Sequence, residues 1–164
     1  MELILTIMAN DRPGIAERLA REIEAHHGNW LESRMATMAG KFAGIVRIDV
    51  PGEHAEAAQK ALQRLRDDGL SVQIEHGETV DQQVQEHCIE VVGNDRPGIV
   101  REVTQALASL SVNVIDLQTE IEPASMSGGS LFRAHIEFAL TETQSMDAVI
   151  HALEALSPDL MVDR

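Results

Sequence analysis

Asparagine, aspartate, arginine, proline, glycine and isoleucine follow one another twice in this chain, at residues 10–15 and, 84 residues on, at residues 94–99. Each copy follows a short apolar run and opens an amphipathic stretch, so the repeated point reads as a strand-to-helix turn. A helix beginning at Pro13 and another at Pro97 would each turn unpaired N–H groups and the positive end of the macrodipole outward. A carboxylate is the natural guest there. Gly14 and Gly98 remove the side chain that would hold a guest away from the backbone. Asn10 and Asn94 offer one acceptor and two donors each, and Asp11 and Asp95 offer a charge to meet an ammonium. Ile15 and Ile99 close the two candidate sites, and Asn29 and Asn113, again 84 residues apart, open the strand that follows each helix. Together these groups suit a small zwitterion. The same residues also suit a plain helix start, in which Asp11 accepts from the helix's own amides and fills the site itself. The residues alone leave both readings open.

Other chemistries find less support. The seven histidines are His26, His27, His54, His76, His87, His135 and His151. None forms an i, i+4 pair around a glutamate, and a metal centre needs three or four convergent ligands, so no metal or other cofactor is expected. Cys88 is the single cysteine, which excludes an intrachain disulfide. His87 and Cys88 should point to opposite faces of a strand, with Cys88 expected in the core. No Walker-type phosphate loop and no serine elbow occurs, and nothing supplies a nucleophile with its base. Met35, Met38 and Met126 read as packing or loop residues. With 27 acidic side chains against 13 basic ones, net charge −14, neither nucleic acid nor an anionic membrane is an expected partner. Residues 1–3 open no basic leader and no long apolar run follows, so a cytoplasmic location is expected.

The elements that must position the loops follow from periodicity. Residues 3–8 are a strand. Ile15, Leu19 and Ile23 recur on one helical face, ended by His26, His27 and Gly28, with Gly28 as the expected left-handed cap. Leu31, Ser33, Met35 and Thr37 then alternate with Glu32 and Arg34. Ala39 and Gly40 form a hairpin, and Phe42, Gly44, Val46, Ile48 and Val50 share the face of the next strand. A helix over 53–68 stops at Gly69, and Val72 and Ile74 mark a last strand. After the polar residues 76–86 the order repeats. Ile115, Leu117, Thr119 and Ile121 alternate along one strand, and Phe132, Ala134, Ile136 and Phe138 along the next. Met146, Val149, Ile150, Leu153 and Leu156 mark a helix, and residues 160–162 a final strand. The second hairpin carries six extra residues near 123–129, a Ser- and Gly-rich loop expected to be mobile.

Strand–helix–strand–strand–helix–strand, twice, predicts an α+β chain of two units. Each is a four-stranded antiparallel sheet with two helices on one face, so the other face needs water or a partner. The boundaries read as 1–77, a linker at 78–85, and 86–164.

Two such units, each with Asn-Asp-Arg-Pro-Gly-Ile between strand and helix and an Asn-initiated strand after it, resemble tandem ACT domains over residues 2–76 and 86–163. The resemblance implies a ferredoxin-like βαββαβ fold, units that pair side by side, and a small amino acid bound where first helix and second strand meet. Here that means residues 10–15 with Asn29, and residues 94–99 with Asn113. Some serine- and glycine-sensing ACT domains carry a histidine four residues before the proline, whereas this chain has Ala9 and Gly93. A pair without a catalytic domain is most similar to the glycine cleavage system transcriptional repressors. That implies a non-enzymatic, amino-acid-sensing homo-oligomer, with glycine or serine as first guesses and a regulatory protein partner, such as a transcription factor. The alternative is a ligand-free interaction module or a detached regulatory subunit of a metabolic enzyme.

Overall fold

The computed structural model describes residues 1–79, 83–126 and 128–164. Residues 80–82 of the expected linker, and Ser127 in the long second hairpin, lie outside the described residues. The chain divides into two compact units. The first runs β1 (Glu2–Asn10), α1 (Ile15–Ala25), β2 (Asn29–Met38), β3 (Lys41–Asp49), α2 (Gly52–Arg64) and β4 (Leu70–His76), with a 3-10 turn (Leu65–Asp68) prolonging α2. The second runs β5 (Gln85–Asn94), α3 (Ile99–Ser109), β6 (Asn113–Pro123), β7 (Ser130–Leu140), α4 (Met146–Glu154) and β8 (Met161–Asp163). The sheets are ordered β2-β3-β1-β4 and β6-β7-β5-β8, with every neighbouring pair antiparallel. Each unit is therefore the expected α+β sandwich of one sheet and two helices.

The period-two apolar residues of the central strands meet the period-four residues of the helices. Leu3, Leu5 and Ile7 of β1 and Val46 and Ile48 of β3 are sealed under Leu19 and Ile23 of α1 and Leu62 of α2. Ile89, Val91, Ile136 and Phe138 take the same places under Val103, Leu107 and Leu153. Each large aliphatic side chain so buried contributes about 1.5–3 kcal/mol. Trp30, at the start of β2, packs against the first core.

Four local expectations are corrected. The helices begin at Ile15 and Ile99, two residues after each proline. The left-handed residue after α1 is His27 (φ 61), not Gly28. Gly28 is needed for space instead, because a Cβ there would lie 2.7 Å from Ile23 Cγ2 and 2.9 Å from the Ile23 carbonyl. Cys88 is exposed, because β5 turns Ile89 and Val91 inward and strand alternation then sends residue 88 out. His87 faces inward, its ring stacked on Phe138 with centroids 6.0 Å apart. Lastly, β-bulges interrupt β2 between Trp30 and Glu32 and β6 between Val114 and Asp116. The extra residues, Leu31 and Ile115, are 40% and 39% exposed rather than in register with the apolar face.

Candidate functional site

The site is built from the turn that joins β1 to α1, and its copy between β5 and α3. Proline at the first corner of a type II turn and glycine at the second is the favoured pairing, since the second corner requires positive φ. Gly14 (φ 88, ψ 5) and Gly98 (φ 88, ψ 0) hold that conformation. The Ile99 N–H closes the second turn onto the Arg96 carbonyl at 3.3 Å. The glycine carbonyls then accept the first helical bonds, from Arg18 N–H at 2.9 Å and Glu102 N–H at 3.0 Å. Each turn is also pinned to the tip of its neighbouring hairpin: the Asp11 N–H donates to the Gly40 carbonyl at 2.9 Å, and the Asp95 N–H to the Ser130 carbonyl at 3.0 Å.

Neither helix has a side-chain cap, and the residue at each cap position is the glycine itself. Asp11 and Asp95 stand three residues before the glycine at each cap position. Apart from the Ile99 N–H, which closes the second turn onto Arg96, the first-turn N–H groups of α1 and α3 have no intrahelical acceptor, and the positive helix end lies behind them. A Cβ added at Gly14 or Gly98 would meet no atom within 4 Å.

A cavity lies beside each turn. The first, about 400 Å3, is lined by Arg12, Pro13, Gly14, Glu17, Arg18, Arg21 and Asp68. Its cations are already engaged. Arg12 donates to the Asp68 carbonyl. Arg18 bridges Glu22 at 2.8 Å and Asp68 at 3.2 Å. Arg21 holds Glu17 at 2.5 Å, and this bond keeps the Glu17 carboxyl below its ordinary range. The second cavity, about 390 Å3, is shared with β6. Its lining includes Asp95, Arg96, Gly98, Arg101, Thr119, Glu120 and Phe132. Arg96 grips Glu102, with Nη1–Oε1 at 2.9 Å, and that hydrogen bond lowers the Glu102 pKa and raises that of Arg96. Asp159 supports this loop from the turn before β8. It accepts from the Asn94 N–H at 2.8 Å, and its carboxyl is held below the ordinary range by the Ser157 hydroxyl and then by that amide. Both cavities carry charges of both signs next to helix amides, the pattern that a zwitterion requires.

The expected constellation is only partly assembled. Pro13 and Gly14 line the first cavity, and Asp95, Gly98 and Ile99 the second. The Ile15 and Ile99 side chains belong to the cores, each 4% exposed, so only their backbone could meet a guest. Asn10 looks away from the turn, onto the open face of the sheet, where Lys41 donates to its Oδ1. Asn29 and Asn113 are not near the loops of their own units. Asn10 is opposite Lys41 and Asn29 opposite Asp49, at the two ends of β3, roughly 27 Å apart at strand rise. Asn94 and Asn113 are divided in the same way, opposite Leu131 and Ala139 of β7. Arg12 and Arg96 were the missed residues. Both stand inside the repeated motif, and each reaches a carbonyl or carboxylate that steadies its cavity.

Among the described residues, no group of three or more His, Cys, Asp or Glu side chains is placed to hold a metal ion. No helix is long and apolar enough to cross a membrane, again among the described residues.

No curated protein matches the chain. A structure of an unknown protein from Galdieria sulphuraria is similar, at 26% identity and TM-score 0.86, covering 99% of this chain and 95% of that one. A candidate glycine cleavage system transcriptional repressor is similar in fold at 18% identity and TM-score 0.73, with the same 99% and 95% coverage. Residues 2–75 and residues 82–164 each match the sequence pattern of the ACT domain. The chain therefore belongs to the ACT-domain family and carries two of its domains in tandem, each with the ferredoxin-like fold.

Proposed function

We propose that this protein is a non-enzymatic regulator that senses a small amino acid, glycine or serine first, and acts on a protein partner that controls glycine cleavage. The carrying observation is the pair of uncapped helix starts, each opened by a left-handed glycine beside a cavity of mixed charge. The guest's carboxylate meets the outward amides of α1 or α3. Its ammonium meets Asp95 and Glu120 in the second unit, and Glu17 or Asp68 in the first.

Asn29 and Asn113 enter this reading from a second copy of the chain. β2 and β6 are edge strands. An antiparallel partner strand laid along such an edge reverses direction, so its first residue arrives at the end where the loop lies. A ligand touching both copies favours the paired arrangement over the separate one, and only such a difference can change an output. The strong negative charge, −14, suits a basic protein partner rather than DNA.

The test is calorimetric titration of the full-length protein with each common amino acid. Binding of glycine or serine, weakened by Asp95→Asn with Glu120→Gln, is the expected result. No binding of any amino acid at millimolar concentration refutes the sensor and leaves a module that works by pairing sheets alone.

A further inference from the structure

At the offset of 84 the two candidate sites can be compared residue by residue, and they part in the first turns of α1 and α3. Arg12 matches Arg96, but Glu17 matches Arg101, Arg18 matches Glu102 and Arg21 matches Gln105. The buried positions keep their type, Leu19 against Val103 and Ile23 against Leu107. The two helices are therefore seated alike while the charges of their first turns are exchanged. Glu17 lines the cavity beside the first turn and Arg101 the cavity beside the second. At equivalent places, one unit presents a carboxylate and the other a guanidinium.

In the first cavity every charged side chain already has a partner. Arg21 holds Glu17 through two bonds, at 3.0 Å and 2.5 Å. Arg18 is shared between Glu22 and Asp68, and Arg12 ends on the Asp68 carbonyl. A zwitterion entering there must displace bonds that the chain makes with itself, and its carboxylate meets Glu17 in the first helical turn. The second cavity differs on both counts. Arg96 and Glu102 close on each other. Among the described residues, the Arg101 guanidinium and the Asp95 and Glu120 carboxylates make no hydrogen bond or ion pair. An unbonded cation and unbonded anions thus line a single hollow of about 390 Å3, so a guest's two charged ends gain partners there without breaking any.

We infer that the two sites fill in order, the second turn before the first, and that Arg101 sets this order by giving the guest's carboxylate a guanidinium where the first unit has Glu17. The inference rests on the amino-acid-sensing reading and adds a regulation to it. A chain with one tight and one weak site has two thresholds, so its output is graded over a wider range of amino-acid concentration than two equal sites allow.

Calorimetric titration of the full-length protein with glycine and with serine reads the order of filling. The expected isotherm has two steps of unequal affinity. Arg101→Gln is expected to weaken the tighter step roughly tenfold or more, the loss of one hydrogen bond to a charged group, and Arg101→Lys to retain part of it. Gly98→Asn is expected to weaken the tighter step and Gly14→Asn only the weaker one. Arg101 is exposed, so circular dichroism melts of its variants should match wild type. Two equal sites, a tighter step unchanged by Arg101→Gln, or a tighter step weakened by Gly14→Asn would overturn the order of filling while leaving amino-acid sensing in place. No binding of any amino acid removes the sensing reading and this inference with it, so the two failures are told apart by whether heat is released at all.

Discussion

Replacing Gly98 separates two reasons for a glycine at the head of α3: its backbone conformation and its empty side. Its φ of 88 lies in the left-handed region, and a Cβ there touches nothing within 4 Å. Alanine therefore costs only the left-handed penalty, about 1–2 kcal/mol, with no clash added. Asparagine tolerates that region better and should cost well under 1 kcal/mol. With a urea dependence of about 2 kcal/mol per molar, Gly98→Ala should move the unfolding midpoint down by roughly 0.5–1 M and Gly98→Asn by much less. Binding should follow a different order. Both side chains enter the open space beside Gly98, where no atom lies within 4 Å of a Cβ, and asparagine reaches further, so Asn should weaken amino-acid binding at least as much as Ala. Circular dichroism in urea reads the first quantity and calorimetric titration the second. An alanine variant as stable as wild type would refute the backbone argument. An asparagine variant that binds as tightly as wild type would refute the placement of the guest at this turn. Gly14, with the same φ of 88 and the same open surroundings, should repeat the result in the first unit.

Three further outcomes follow from the geometry. Gly44→Ala should cost about 3 kcal/mol, far more than Gly14→Ala, because its Cβ would lie 2.4 Å from the Arg34 carbonyl oxygen and 2.9 Å from Met35 Cα in the adjoining strand; urea melts of the two variants check the order. The Asp159 carboxyl is depressed by its bonds to Ser157 and to the Asn94 amide, so its stabilisation is present above the ordinary aspartate range and lost as pH falls through the folded value. Asp159→Asn should therefore lower stability at neutral pH and flatten the acid limb of the stability profile, measured by melts across pH. Cys88 should react with a thiol reagent in the folded protein at close to the unfolded rate, giving one thiol per chain, since its strand turns it outward.

The architecture was legible because apolar spacing and duplication point the same way: Leu3, Leu5 and Ile7 against Leu19 and Ile23, and Ile89 and Val91 against Val103 and Leu107. The local errors have local causes. A proline next to a glycine fits both a helix start and a type II turn, and the two differ by two residues. A strict period of two cannot anticipate an inserted residue, so Leu31 and Ile115 were assigned to a face they leave. The orientation of Cys88 was decidable from its neighbours, since Ile89 and Val91 set the parity of β5. The spread of the site was not legible. Asn29 and Asn113 sit at fixed sequence distances from their loops, yet whether a strand's first residue lies near the preceding turn depends on which way the helix carries the chain. Here α1 and α3 carry it to the far end of the sheet.

Trp30 is the one tryptophan of the chain, and it packs against the first core. Its fluorescence therefore reports the melting of one half of the molecule, while far-ultraviolet ellipticity sums both halves. Superimposed curves would mean that the two repeats unfold as one cooperative body. Offset curves would measure, without any label, how much free energy each repeat holds by itself.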